Sequence, residues 1–104
     1  MTNPYEIAYQ QSIQNQESFW AEAAADCHWF KKWDKVLDDT DKPFYRWFNG
    51  GEVNTSYNAL DFHIENGRGD QNALIYDSPV TQTIKKFTYN QLRDEVAQFA
   101  GALA

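Results

Sequence analysis

The run over residues 43–61 limits most strongly what this chain can become. It reads Pro-Phe-Tyr-Arg-Trp-Phe-Asn-Gly-Gly-Glu-Val-Asn-Thr-Ser-Tyr-Asn-Ala-Leu-Asp. Its first half is rich in aromatic strand formers. Its centre, Asn49-Gly50-Gly51, is a strong turn signal. Asn54 stands where a helix N-cap belongs. A strand, a turn and a helix start are thus packed into nineteen residues. The run holds no nucleophile–base pair, no metal-ligand cluster and no phosphate loop. It reads as a docking surface rather than an active site.

Composition agrees. Seventeen Phe, Trp and Tyr residues outnumber Val, Leu, Ile and Met together. Large rings fill a core that is short of aliphatics, or they anchor an interface. A chain of 104 residues suits one small domain. Its net charge of −6 argues against a nucleic-acid partner, because phosphate backbones repel an acidic surface. Lys31, Lys32 and Lys35 form the only basic cluster and read as a solvated face. The single cysteine, Cys27, cannot form a disulfide within the chain. No apolar run is as long as a membrane span or a signal-peptide core. The expected location is the cytoplasm.

Along the chain, Asn3-Pro4 predicts a capped helix over 4–13 with Tyr5, Ala8, Tyr9 and Ser12 or Ile13 on one face. Asn15 predicts the cap of a second helix over 16–27, striped by Phe19, Trp20, Ala23, Ala24 and Cys27. Residues 28–41 have no clean period and read as irregular chain, carrying Trp29, Phe30 and Trp33, that ends in a polar turn. A short strand follows at 44–48. A helix over 55–65 places Tyr57, Leu60 and Ile64 on one face and stops at Asn66-Gly67. Residues 73–76 and 84–88 read as the strands of a hairpin. Thr88-Tyr-Asn-Gln91 fits a capping box. The last helix carries Tyr89, Leu92, Val96, Phe99 and Leu103 in a regular stripe. That stripe is still running at Ala104, from which we expect a segment cut from a longer protein. Left exposed, it would favour self-association. The expected fold class is α+β, with about four helices and two small hairpins.

Four places could carry chemistry, and each has a plainer reading. Cys27-His28 could be a nucleophile and base, but neighbours on a helix point about 100° apart. The plainer reading is a small apolar thiol against the body and a half-exposed His. Asp61 and His63, two residues apart, do not share a helix face and lack a third ligand. Asp38, Asp39 and Asp41 resemble a calcium loop without its glycine and closing Glu, so they read as an acidic turn. Gly50-Gly51 and Gly67-x-Gly69 serve turns and do not form a phosphate-binding fingerprint. The residues give no catalytic, cofactor-binding or metal set.

The ordered set Phe19-Trp20, Trp29 to Trp33, Arg46-Trp47-Phe48-x-Gly-Gly-x-x-Asn54, Asn58-Ala-Leu-Asp61 and Phe87-Thr88-Tyr89-x-x-Leu92 resembles a known family. It is similar to the N-terminal region of the AMP-forming acetyl- and propionyl-CoA synthetases, in the adenylate-forming acyl-CoA ligase superfamily. The resemblance runs from about Tyr9 onward. The Arg-Trp-Phe-x-Gly-Gly form looks more like the propionyl-CoA branch. Phe62 departs from the pattern, since such proteins usually carry Arg between the Asp and the His.

The resemblance implies a whole enzyme that uses ATP and Mg²⁺ to convert a short carboxylic acid to an acyl-adenylate, then passes the acyl group to CoA. It implies that the groups handling ATP, Mg²⁺ and CoA lie downstream, so none is expected here. Residues 1–70 would form an extension wrapping the catalytic domain, and 71–104 would begin that domain. The partner would be the rest of the same polypeptide, with no nucleic acid and no membrane. The expected docking residues are Phe19, Trp20, Trp29, Trp33, Trp47, Phe48, Asn54, Asn58, Asp61, Tyr89 and Leu92. Two other readings compete: a stand-alone aromatic interaction module, and a small enzyme in its own right.

Overall fold

A computed structural model describes residues 3–104. The chain packs as two compact units, 1–54 and 55–104. Its length suggested one small domain. The division reflects how little each half encloses: Ala24 and Val36 are the buried hydrophobics of the first unit and Leu60 that of the second, among the described residues.

In the first unit, α1 (Pro4–Gln14) begins as its sequence dictates. The Asn3 side chain accepts a hydrogen bond from the Tyr5 backbone N–H at 3.1 Å, and Pro4 occupies the first turn, where its missing donor costs nothing. Helix α2 (Gln16–Ala24) follows after Asn15. Asn15 makes no side-chain cap; instead its backbone carbonyl accepts from the Ser18 hydroxyl at 3.0 Å.

Helix α2 ends three residues before the expected Cys27. The cause is Trp29, whose indole Nε1 donates to the Ala24 carbonyl at 2.8 Å. That carbonyl would otherwise accept the next helical bond. The chain leaves in tighter i→i−3 turns, with Cys27 N donating to Ala24 O at 3.2 Å.

The stretch expected to be irregular contains strand β1 (Lys35–Asp38), paired antiparallel with β2 (Arg46–Asn49). The register sets Lys35 opposite Asn49, Leu37 opposite Trp47 and Asp38 opposite Arg46. No local period announced β1, because a four-residue strand gains its stability from its partner rather than from its own alternation. Strand β2 starts two residues later than expected, leaving Phe44 and Tyr45 exposed outside it.

In the second unit a helical stretch runs from Thr55, but it is wound wide. Residues Tyr57–Asp61 form a π-helical turn in place of the expected α-helix, and the second wide turn, Ile64–Arg68, is broken by non-helical angles at Asn66 and Gly67. Such turns are rare and usually single. The expected inner face survives, with Leu60 buried and Tyr57 and Ile64 half-buried. Gly67 sits at φ 80° and stops the helix, as expected from Asn66-Gly67.

Strands β3 (Asn72–Ser78) and β4 (Thr83–Thr88) form the second antiparallel hairpin. Helix α3 (Tyr89–Leu103) leaves β4 directly. Its capping box is complete: Thr88 Oγ1 accepts from Gln91 N at 3.2 Å, and Gln91 Oε1 accepts from Thr88 N at 3.0 Å. Two further N-terminal donors are met by the preceding loop, Tyr89 N by Gln71 O and Asn90 N by Gly69 O, both at 3.1 Å. All three first-turn donors are therefore paired. Thr88→Ala is expected to cost about 1 kcal/mol. Urea unfolding measures it; a loss below a few tenths would show that the loop alone holds the helix.

Among the described residues the class is α+β, with four helical stretches, residues 55–68 counted as one, and two small antiparallel hairpins.

Candidate docking surface

Six of the expected docking residues are brought together as a continuous chain of rings in the first unit. Phe19 lies edge-on to Trp20 at 5.2 Å between centroids, and Trp20 meets Trp47 at 6.2 Å. Trp47 adjoins Phe48 at 6.1 Å. Phe48 touches Trp29 at 5.4 Å and Trp33 at 5.1 Å, and those two indoles meet edge-to-face at 4.9 Å. Helix α2, the following loop and strand β2 each contribute two rings. Edge-to-face and tilted pairs at these distances suit the ring quadrupoles and add to the gain from burial.

Gly50 and Gly51 make this network possible, each for its own reason. Gly50 takes φ 78°, and a Cβ there would strike the Asp34 carboxylate. Gly51 is not at a positive φ, but its missing side chain leaves room for an indole; a Cβ would lie 2.7 Å from Trp29 Cζ3. The turn then returns the chain to Lys31, with Phe30 N donating to Glu52 O at 2.8 Å and Glu52 N to Lys31 O at 2.9 Å. The Gly-Gly pair therefore seats Trp29 as well as making the turn.

The network is not sealed. Phe19, Trp29, Trp33 and Phe48 are half-buried, while Trp20 and Trp47 remain 41% and 43% exposed.

The other expected docking residues lie elsewhere. Asn54 ends the first unit and is exposed. Asn58 and Asp61 fall in the first π-helical turn, half-buried. Tyr89 and Leu92 open α3, also half-buried. The α3 stripe loses cover along its length: Val96 is 38%, Phe99 68% and Leu103 73% exposed.

A cluster around Tyr89 was not foreseen. The His63 ring lies 5.1 Å from the Tyr89 ring, and the Arg68 guanidinium sits 5.3 Å above it. Arg68 Nη1 is 3.3 Å from His63 Nδ1, and Arg68 Nε donates to Gln71 Oε1 at 2.9 Å. Local spacing gave no signal for it, since the wide helix and the Gly67 stop set these positions. Tyr57 likewise donates to Glu65 Oε2 at 2.6 Å, and this bond to the protonated phenol raises the Tyr57 pKa.

The places weighed for chemistry fall out as follows. Cys27 is exposed and beyond the end of α2, not an apolar thiol held against the body. The His28 ring packs on Phe30 at 5.7 Å. Among the described residues no group of three or more His, Cys, Asp or Glu is placed to hold a metal ion.

The acidic turn is structural. Asp38 Oδ1 accepts from the Thr40 hydroxyl at 2.8 Å and the Thr40 N–H at 3.2 Å, and Oδ2 accepts from Asn49 Nδ2 at 3.1 Å. Asp39 pairs with Lys42 at 2.8 Å. The Thr40 hydrogen bonds, first the hydroxyl's, hold the Asp38 pKa below its ordinary value. A carboxylate lowered in the folded state adds stability above its unfolded pKa and loses it as pH falls through the folded value. Thr40→Ala should therefore move the Asp38 titration upward towards the usual carboxylate range. Carbon-detected NMR of the Asp38 carboxyl reads this, and an unmoved titration would contradict it.

Among the described residues no helix is long and apolar enough to cross a membrane.

Comparison with known proteins supplies the context. The chain is 46% identical over 99 residues to the human acyl-CoA synthetase short-chain family member 3, mitochondrial. It is 42% identical over 95 residues to the acetyl-coenzyme A synthetase of Rubrobacter xylanophilus, and 42% over 99 residues to that of Deinococcus radiodurans. These matches cover 95%, 91% and 95% of this chain but 14%, 15% and 15% of the relatives. The chain thus spans about one-seventh of the length of the curated relatives it matches. Residues 5–59 match the family described as "Acetyl-coenzyme A synthetase N-terminus". They include the whole ring network, and the chain belongs to that family.

Proposed function

We propose that this chain is the leading, non-catalytic segment of a short-chain acyl-CoA synthetase, and that its aromatic surface docks on the rest of the same polypeptide. The supporting observation is the ring network, pre-formed and seated on Gly51 yet open to solvent at Trp20 and Trp47. Half-exposed indoles held in fixed geometry suit interface anchors. In this reading residues 1–70 wrap the catalytic domain and 71–104 begin it. Asn54, Asn58, Asp61, Tyr89 and Leu92 supply further docking contacts.

The reaction we assign to the whole enzyme is adenylation of a short carboxylic acid by ATP, releasing pyrophosphate. Acyl transfer to the CoA thiol follows and releases AMP. The Arg46-Trp47-Phe48-x-Gly50-Gly51 form looks more like the propionyl-CoA branch, and on that resemblance we assign propionate ahead of acetate. We assign no residue of this chain to ATP, Mg²⁺ or CoA; those groups belong to the larger part of the enzyme. We place the enzyme in the cytoplasm; the name of the human relative specifies mitochondria, and cell fractionation decides between the two.

Acid-dependent ATP–pyrophosphate exchange tests the assignment. The full polypeptide should exchange with propionate and acetate, and the 104-residue chain should not. Exchange by the short chain alone would refute a non-catalytic role. The exposed Phe99 and Leu103 end of α3 should also make the isolated chain self-associate, so a strict monomer by light scattering at high concentration would contradict docking through that stripe.

A further inference from the structure

Beside the ring network lies an open groove of about 370 Å³. It is lined by Ala21 on α2, by Ala25 just past the end of that helix, and by an aromatic wall, the indoles of Trp29 and Trp33. The wall is fixed: Trp29 is tied to the Ala24 carbonyl, backed by Phe48 and fitted against Gly51. Lys32 stands on the rim with its Nζ 5.5 Å from the Trp33 ring centroid.

Charge decides what fits there. Of the three clustered lysines, Lys35 is paired with Asp38 and Asp39 at 3.7 and 3.8 Å. Lys31 and Lys32 have no carboxylate within ion-pair distance among the described residues. In a chain of net charge −6, this is a local positive edge on an apolar slot. An occupant that fills the slot brings its own carboxylate to that edge, where the aromatic wall excludes water and strengthens the pair.

We propose that the groove holds a peptide segment of the longer polypeptide in which one large apolar side chain, seated between Ala25 and Trp29, stands next to an Asp or Glu that pairs with Lys32. This rests on the reading of the chain as the leading segment of a longer enzyme. That reading is supported by relatives about seven times longer and by the family match over residues 5–59, within which the groove residues fall. A separate protein or a second copy of the chain is an alternative occupant.

The test uses the full polypeptide with a photoreactive benzoylphenylalanine at position 26, an exposed site past the end of α2, beside the groove and outside its lining. Mass spectrometry maps the link. The expected product is a link within one chain, to a peptide beyond residue 104 that carries an Asp or Glu beside a large apolar residue. Lys32→Glu should cut its yield about tenfold or more, since like charges then face each other. Lys32→Met, which keeps the apolar stem, should cut it less. A link between copies, a link to a peptide without a carboxylate, or no link overturns the assignment. So does a yield unchanged by Lys32→Glu.

A second measurement does not depend on the inserted probe. Carbodiimide labelling of the unaltered polypeptide should leave one carboxylate beyond residue 104 protected, and Lys32→Glu should expose it. Absence of such a site also overturns the assignment. Pyrophosphate exchange on the same samples reports separately on the ligase reading. Exchange without the link discards only the groove, and the link without exchange discards only the chemistry.

Discussion

Replacing Trp29 with alanine is expected to cost the first unit about 2–4 kcal/mol, the range for large-to-small changes reduced because the ring is half-exposed. Three losses coincide. The indole contacts to Trp33 and Phe48 disappear. The Ala24 carbonyl loses the donor that ends α2. The space above Gly51, kept clear for the ring, becomes a void. Gly51→Ala attacks the same contact from the other side. Its methyl group would stand 2.7 Å from Trp29 Cζ3 and 3.1 Å from the Phe48 carbonyl oxygen, so ring or turn must shift, at about 1–3 kcal/mol. The two changes should be strongly non-additive, because the methyl group's closest clash goes with the indole and only its 3.1 Å approach to the Phe48 carbonyl oxygen is left. Near-UV circular dichroism during urea unfolding, run on both single variants and the double, measures this. Simple additivity would show that Gly51 is there only for its turn.

Leu60→Ala carries the second large effect, about 2–4 kcal/mol. Leu60 is 7% exposed and is the buried hydrophobic of its unit among the described residues. It lies on the wide helical turn Tyr57–Asp61, which packs against α3. Removing it leaves both without their shared anchor. Amide hydrogen exchange should quicken across residues 55–68 and in the first half of α3. The first unit's rates should stay unchanged, since it has its own contacts. Acceleration confined to Leu60's immediate neighbours would show that the π-helical winding is held by something other than this side chain.

Much of the architecture was legible where local chemistry acts alone. Asn3-Pro4, the Thr88–Gln91 capping box and the Asn66-Gly67 stop each place an end of a helix through groups within four residues of one another. The β3–β4 hairpin was legible from two apolar runs around a polar loop. What escaped depended on partners distant in sequence. Strand β1 exists because β2 pairs with it. The early end of α2 exists because Trp29 reaches back to Ala24. The winding of residues 57–68 has no local signature in Tyr-Asn-Ala-Leu-Asp, whose spacing suits an α-helix equally well. The expected docking residues show the same split. The six rings of the first unit were read from the sequence only as surface anchors among eleven such residues; that they pack on one another was not. The role of Gly51 as a seat for an indole could not be read from the turn signal alone, because Gly-Gly has a sufficient explanation in turn geometry. The Tyr89 cluster with His63 and Arg68 was missed because Tyr89 reads as part of an apolar stripe and nothing local brings His63 or Arg68 to it.

In the function proposed here, the half-exposed rings of this segment are anchors for the rest of its own polypeptide. Hydroxyl-radical footprinting of Trp20 and Trp47 tests it residue by residue, in the 104-residue chain and in the full polypeptide. Both indoles, 41% and 43% exposed in the chain described here, should be oxidised readily in the short chain and protected at least severalfold in the long one. Equal oxidation in both would contradict the claim and leave the ring network as the segment's own partial core.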